Sequence, residues 1–129
     1  MSIEYVRADV LRNVQGRIIQ NYGGLPGVRD EGALQSALAR PANLAHYTGT
    51  SSIAELGASV SWAIIKNHPF NDGNKRAAFA ALVMFLELND FVFQCTEVEE
   101  TAMVLRAAAS ELDEEQWTVW VESVTRPRT

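Results

Sequence analysis

Nine consecutive positions, His68-Pro69-Phe70-Asn71-Asp72-Gly73-Asn74-Lys75-Arg76, gather most of the side chains in this sequence that could do chemistry, and they lie between two apolar stretches. His68 is the one side chain among them whose ordinary pKa lies near neutrality, so it can take the proton of an attacking hydroxyl. A helix that starts near Asn74 leaves its first backbone N–H groups unpaired, and its dipole draws an anion to them. Gly73 lets that backbone come close to a ligand, and Lys75 and Arg76 set two positive charges beside it, a combination suited to a polyphosphate. Asp72 has the wrong sign for a phosphate unless Mg²⁺ lies between them; Mg²⁺ takes one or two carboxylates and completes its octahedron with phosphate oxygens and water. Phe70 is expected to point inward and pin the loop. Each residue also has a plainer reading. Asn71-Asp72-Gly73 is common turn chemistry, a histidine at a helix end can cap it, and Lys75 with Arg76 can be a solvated first turn, although positive charge there opposes the dipole. It is their succession in one run that points to a site; His46 has no such company.

The elements that must hold this run read as helices almost throughout. Val10, Leu11, Val14 and Ile18 form one apolar stripe between about Ala8 and Asn21, and Tyr22-Gly23-Gly24-Leu25-Pro26-Gly27 breaks it. Asp30 can cap a short helix through Leu34 and Leu38 that Pro41 closes, leaving residues 41–51 as a loop. Ser52 with Glu55 is a capping box for a helix running to Asn67, after which Pro69 biases His68 toward an extended backbone. Asn74 to about Leu88 is apolar on nearly all sides, as expected of the central helix of a bundle. Phe91, Phe93 and Cys95 alternate with Val92 and Gln94 as a short extended segment. Thr96 with Glu99 offers a second capping box for a helix reaching Ala109, and Asp113 can cap a last helix carrying Trp117, Trp120, Val121 and Val124. Arg126 to Thr129 reads as a frayed tail. The expected fold is all-α: a single domain over residues 1–129, a bundle of about six helices with at most one short extended segment near 91–95.

Composition narrows the function. The 129 residues are 47% hydrophobic and 21% charged, which is globular material rather than a disordered or fibrous chain. The longest uncharged apolar run, Ala77 to Leu86, is far too short to span a membrane. No secretory signal is visible at the start, so a cytoplasmic location is expected. With a net charge of −5 and no stripe of Lys or Arg, direct nucleic-acid binding is disfavoured. The single Cys95 has no partner for an internal disulfide and reads as a small buried hydrophobe.

The run His68 to Arg76 resembles the signature of the Fic superfamily, most closely its Doc branch, the death-on-curing toxins, over roughly residues 56–89. Tyr22-Gly23-Gly24-Leu25-Pro26-Gly27, with Asp30-Glu31, Ala33-Leu34, Ala37-Leu38 and Arg40-Pro41, is similar to that family's N-terminal helical region. The general pattern is His-Pro-Phe-x-Asp/Glu-Gly-Asn-Gly-Arg-x-x-Arg, and its AMP-transferring members use the second Gly and the last Arg to hold the nucleotide's phosphates. Lys75 stands at that Gly and Phe79 at that Arg, as in the Doc variant. A lysine there both blocks the anion hole and creates a new anion site. The resemblance implies that ATP then sits reversed, with the γ-phosphate toward the base, so that a phosphoryl group is transferred to a threonine of elongation factor Tu and translation stops. Carried over residue by residue, it makes His68, Asp72 and Arg76 catalytic, Gly73, Asn74, Lys75 and Arg76 nucleotide-binding, and Asp72 the Mg²⁺ ligand.

Many Fic proteins carry a self-inhibiting Ser/Thr-x-x-x-Glu-Gly/Asn element, and Thr96 to Glu100, followed by Thr101, does not fit it. The resemblance therefore implies a separate antitoxin whose C-terminal segment folds on binding. The loop from Asn43 to Ser51, with His46 and Tyr47, occupies the position of the family's target-docking flap or is a plain connector. Two other readings stay open: AMP transfer to a protein hydroxyl, if Lys75 swings aside, and a catalytically idle interaction module.

Overall fold

Side chains that satisfy otherwise unpaired N–H groups mark four of the six helix starts in the computed structural model, which describes residues 2–129. Asp30 accepts from Ala33 at the head of α2 (Glu31–Thr48), Ser52 from Glu55 at α3 (Ile53–Asn67), Thr96 from Glu99 at α5 (Glu97–Ala108) and Asp113 from Gln116 at α6 (Glu114–Val124). The two without such a cap are α1 (Ala8–Tyr22), preceded by Arg7, and α4 (Asn74–Leu88), preceded by Gly73. The expected capping boxes at Ser52 and Thr96 are only half formed, because Glu55 and Glu99 do not reciprocate; Glu99 instead accepts from the indole N–H of Trp120 at 2.8 Å. The complete box is at Asp113, where the Gln116 side chain accepts from the Asp113 N–H. Asp113→Ala should therefore cost about 1 kcal/mol, read as a lowered denaturant midpoint with unchanged slope.

The all-α expectation holds, with differences at three places. First, α2 does not stop at Pro41 but runs through it to Thr48. Pro41 forfeits one backbone bond, yet the turns around it are held from outside. Its own ring is buried, and the Arg40 guanidinium donates to the Ser59 carbonyl and pairs with Glu114. Beyond it Leu44 and Ala45 pack on the core, and Gly49 closes the helix in a left-handed conformation. The expected loop Asn43–Ser51 is thus largely helix, with His46 and Tyr47 exposed in its last turns, their rings edge to face.

Second, the central helix is α3 rather than α4. Ten of the fifteen α3 residues are buried, against six of fifteen in α4. It packs against α2, α4, α5 and α6. A Cβ on Gly57 would come within 3.0 Å of Leu82, so glycine there sets how closely α3 and α4 approach. The apolar run of α4 is less buried than its composition suggests because part of it, Phe79 and Ala80, lies at the edge of the core and lines a surface groove.

Third, the end of the chain is not frayed: β2 (Thr125–Pro127) pairs antiparallel with β1 (Phe91–Phe93), with Phe91 opposite Pro127 and Phe93 opposite Thr125. Phe93 stacks edge to face on both Phe79 and Trp120, which ties this ribbon to α4 and α6. No helix among the described residues is long and apolar enough to cross a membrane.

Candidate active site

The site is built where the end of α3, the bare start of α4 and the turn after α1 meet. His68 is the residue that ends α3. It is left-handed, φ 48° and ψ 61°, rather than extended, and its N–H donates to the Ile64 carbonyl. Such a conformation costs a non-glycine residue about 1–3 kcal/mol, and Arg29 holds it. The Arg29 guanidinium donates to the His68 carbonyl from Nε at 2.9 Å and Nη2 at 2.7 Å, and to the Asn67 carbonyl at 2.9 Å. A cation there also suits the negative end of the α3 dipole. The His68 imidazole itself is exposed.

Pro69 and Phe70 are buried, so the loop turns inward as expected before returning to the surface at Asp72. The Pro69 carbonyl accepts from the N–H groups of Arg29 and Asp30, and Phe70 forms a single antiparallel bridge with Val28. Asn71 donates its N–H to the Gly27 carbonyl and its side-chain amide to Pro26. Asn74 closes the turn from the other side: its Oδ1 accepts from the Phe70 N–H and its Nδ2 donates to the Phe70 carbonyl, both at 2.9 Å. The Asn74 side chain is therefore held against the loop, and it can still offer an anion its backbone N–H and the second hydrogen of its amide.

Asp72 is exposed, with Oδ2 accepting from the Leu25 N–H at 2.7 Å. Its other carboxylate oxygen has no partner among the described residues. A Cβ on Gly24 would fall 2.9 Å from the Asp72 Cβ, so only glycine lets this turn lie against the carboxylate. Gly73 is left-handed, φ 73°, and the backbone N–H groups of Gly73, Asn74, Lys75 and Arg76 have no acceptor among the described residues, the first helical bond being Ala77 to Gly73. The result is a row of N–H donors beside a carboxylate with one open oxygen. No three His, Cys, Asp or Glu side chains gather into a cation site among the described residues, so a metal at Asp72 would draw its remaining ligands from phosphate and water. That donor set fits Mg²⁺.

Lys75 and Arg76 line one wall of a groove of about 380 Å³ between α1, α4 and α5. The Arg76 guanidinium lies 3.7 Å from the centre of the Tyr22 ring, which orders it by a cation–π contact. The groove's floor is apolar, from Val14, Ile18 and Phe79, and its far rim carries Glu97 and Glu100. Burial, and then the charge of Glu97, push the Glu100 carboxyl above its usual range. Cys95 is half-buried rather than buried, and burial with the charges of Glu99 and Glu100 raises its thiol above the usual range.

Every residue singled out between His68 and Arg76 thus lies on one loop and one helix start. What the residue types did not reveal is the clamp on that loop, the segment 22–30 together with Gln15. A signal was present: Gln15 stands between Leu11 and Ile19, four residues from each, where an apolar residue belongs.

Comparison with known proteins agrees with the resemblance. Residues 5–86 match the Fic/DOC family. The chain is 33% identical over 95 residues to the protein kinase doc of Escherichia phage P1, covering 73% of this chain and 74% of that protein. It is also 38% identical over 69 residues to the toxin Doc of Mycolicibacterium smegmatis, covering 53% of each.

Proposed function

Because this chain belongs to the Fic/DOC family, in its Doc branch, we propose that it is the toxin of a toxin–antitoxin pair and a kinase that transfers the γ-phosphoryl group of ATP to a threonine hydroxyl of elongation factor Tu. The observation that carries the reading is the bare start of α4, four unpartnered N–H groups with Lys75 at the position of the family's second glycine, beside a carboxylate with one open oxygen. Those N–H groups and Lys75 hold the terminal phosphates, and Arg76, ordered on Tyr22, adds charge at the groove side. Asp72 is the residue that would hold Mg²⁺, which when bound neutralises phosphate charge. His68 takes the proton of the attacking hydroxyl as the new oxygen–phosphorus bond forms and the bond to the bridging oxygen breaks, releasing ADP.

The same groove, with an apolar floor between a basic and an acidic rim, supports an antitoxin segment that folds on binding, and the cytoplasm is where its target is met. Adding the purified chain to a cell-free translation reaction tests the target. Synthesis should stop and be restored by fresh elongation factor Tu once the chain is removed; an arrest that fresh factor does not relieve would exclude it as the target.

A further inference from the structure

Gln15 is polar, sits on the buried face of α1 and is 1% exposed. All three of its hydrogen bonds go to the site loop and its clamp: Nε2 donates to the Asp72 carbonyl at 3.0 Å and to the Leu25 carbonyl at 3.5 Å, and Oε1 accepts from the Gly27 N–H at 3.1 Å. One side chain thus ties together the two backbones on either side of the bond from Leu25 N–H to Asp72 Oδ2. A primary amide suits this task, since it must give to two carbonyls and receive from one N–H. Buried polar groups fully paired in this way fix one geometry, whereas partly paired ones are costly.

We infer that Gln15 is a positioning residue for the cation-binding carboxylate: it sets the turn 25–27 against Asp72, so that Leu25 restrains one carboxylate oxygen and turns the other outward. The inference rests on the proposed role of Asp72, and its consequence is specific. Without Gln15 the carboxylate remains but rotates freely, so the protein binds Mg²⁺ less well without losing its base or its phosphate site.

The test uses Gln15→Met, which keeps length and removes all three bonds, and Gln15→Glu, which keeps an acceptor for Gly27 but faces two carbonyls with a carboxylate. Amide hydrogen exchange is read at Leu25 and Gly27, and transfer is titrated with Mg²⁺. In Gln15→Met both amides should lose protection; in Gln15→Glu only Leu25 should. In both, half-saturating Mg²⁺ should rise about tenfold, as for other partners that orient a metal ligand, with the rate at saturating Mg²⁺ within about twofold of wild type. A merely structural glutamine would lower the melting temperature and leave half-saturating Mg²⁺ unchanged, and Leu25 protection surviving in both variants would overturn the inference. If wild type showed no Mg²⁺-dependent transfer, the kinase reading would fail, while the exchange pattern alone would still decide whether Gln15 orders the carboxylate.

Discussion

His68→Ala should lower phosphoryl transfer by about 10²–10⁴-fold, the range by which a positioned general base accelerates proton removal. The fold should survive, because the imidazole is exposed and makes no hydrogen bond to another described side chain or backbone group. Alanine is less at ease than histidine in the left-handed region, but Arg29 gripping the carbonyl still holds the backbone there. The pair of measurements is the initial rate of label transfer and the thermal midpoint. A large drop in rate with a midpoint within a few degrees of wild type is expected. A rate within threefold of wild type would remove His68 from the reaction.

The largest effect on stability is expected from Trp117→Ala. Trp117 is fully buried, packs on Trp120 with ring centres 5.1 Å apart, and donates its indole N–H to the Ser61 hydroxyl at 3.0 Å. Truncation leaves a cavity between α3 and α6 and removes that donor, and large-to-small changes of this kind cost about 3–5 kcal/mol. For a chain of this size that lowers the melting temperature by roughly 10 °C or more. Chemical denaturation should show a lower midpoint, and an unchanged midpoint would mean that the α3–α6 packing is not what secures the fold. Trp117 makes no hydrogen bond or ring contact with residues 68–76, so what remains folded should keep its activity.

These two residues also show how much was legible in the sequence. His68 stood out because its neighbours are chemically rich and contiguous, and Trp117 because Trp117, Trp120, Val121 and Val124 repeat at helical spacing. Helix starts were legible wherever a side chain does the capping, since Asp30, Ser52, Thr96 and Asp113 carry that information locally. What was hidden is non-local. The continuation of α2 past Pro41 depends on Ser59 and Glu114, far away in the chain, holding Arg40. The strand Thr125–Pro127 has no alternation of its own and exists because β1 offers it an edge. The clamp from Tyr22 to Asp30 works largely through backbone N–H and C=O groups, which every residue type possesses, so its glycines reveal a turn but not what the turn grips. His68 departs from its extended preference for the same reason: the group that holds it is a guanidinium thirty-nine positions earlier.

In the proposed mechanism Lys75 sets the orientation of the nucleotide, and with it the type of reaction. Transfer to purified elongation factor Tu with Mg²⁺, run in parallel with γ-labelled and α-labelled ATP and with His68→Ala as control, measures that orientation directly. Label from the γ position alone, lost in the variant, is the result that phosphoryl transfer requires. Label from the α position would contradict it and make the protein an AMP transferase despite Lys75, and no label from either would contradict elongation factor Tu as the substrate.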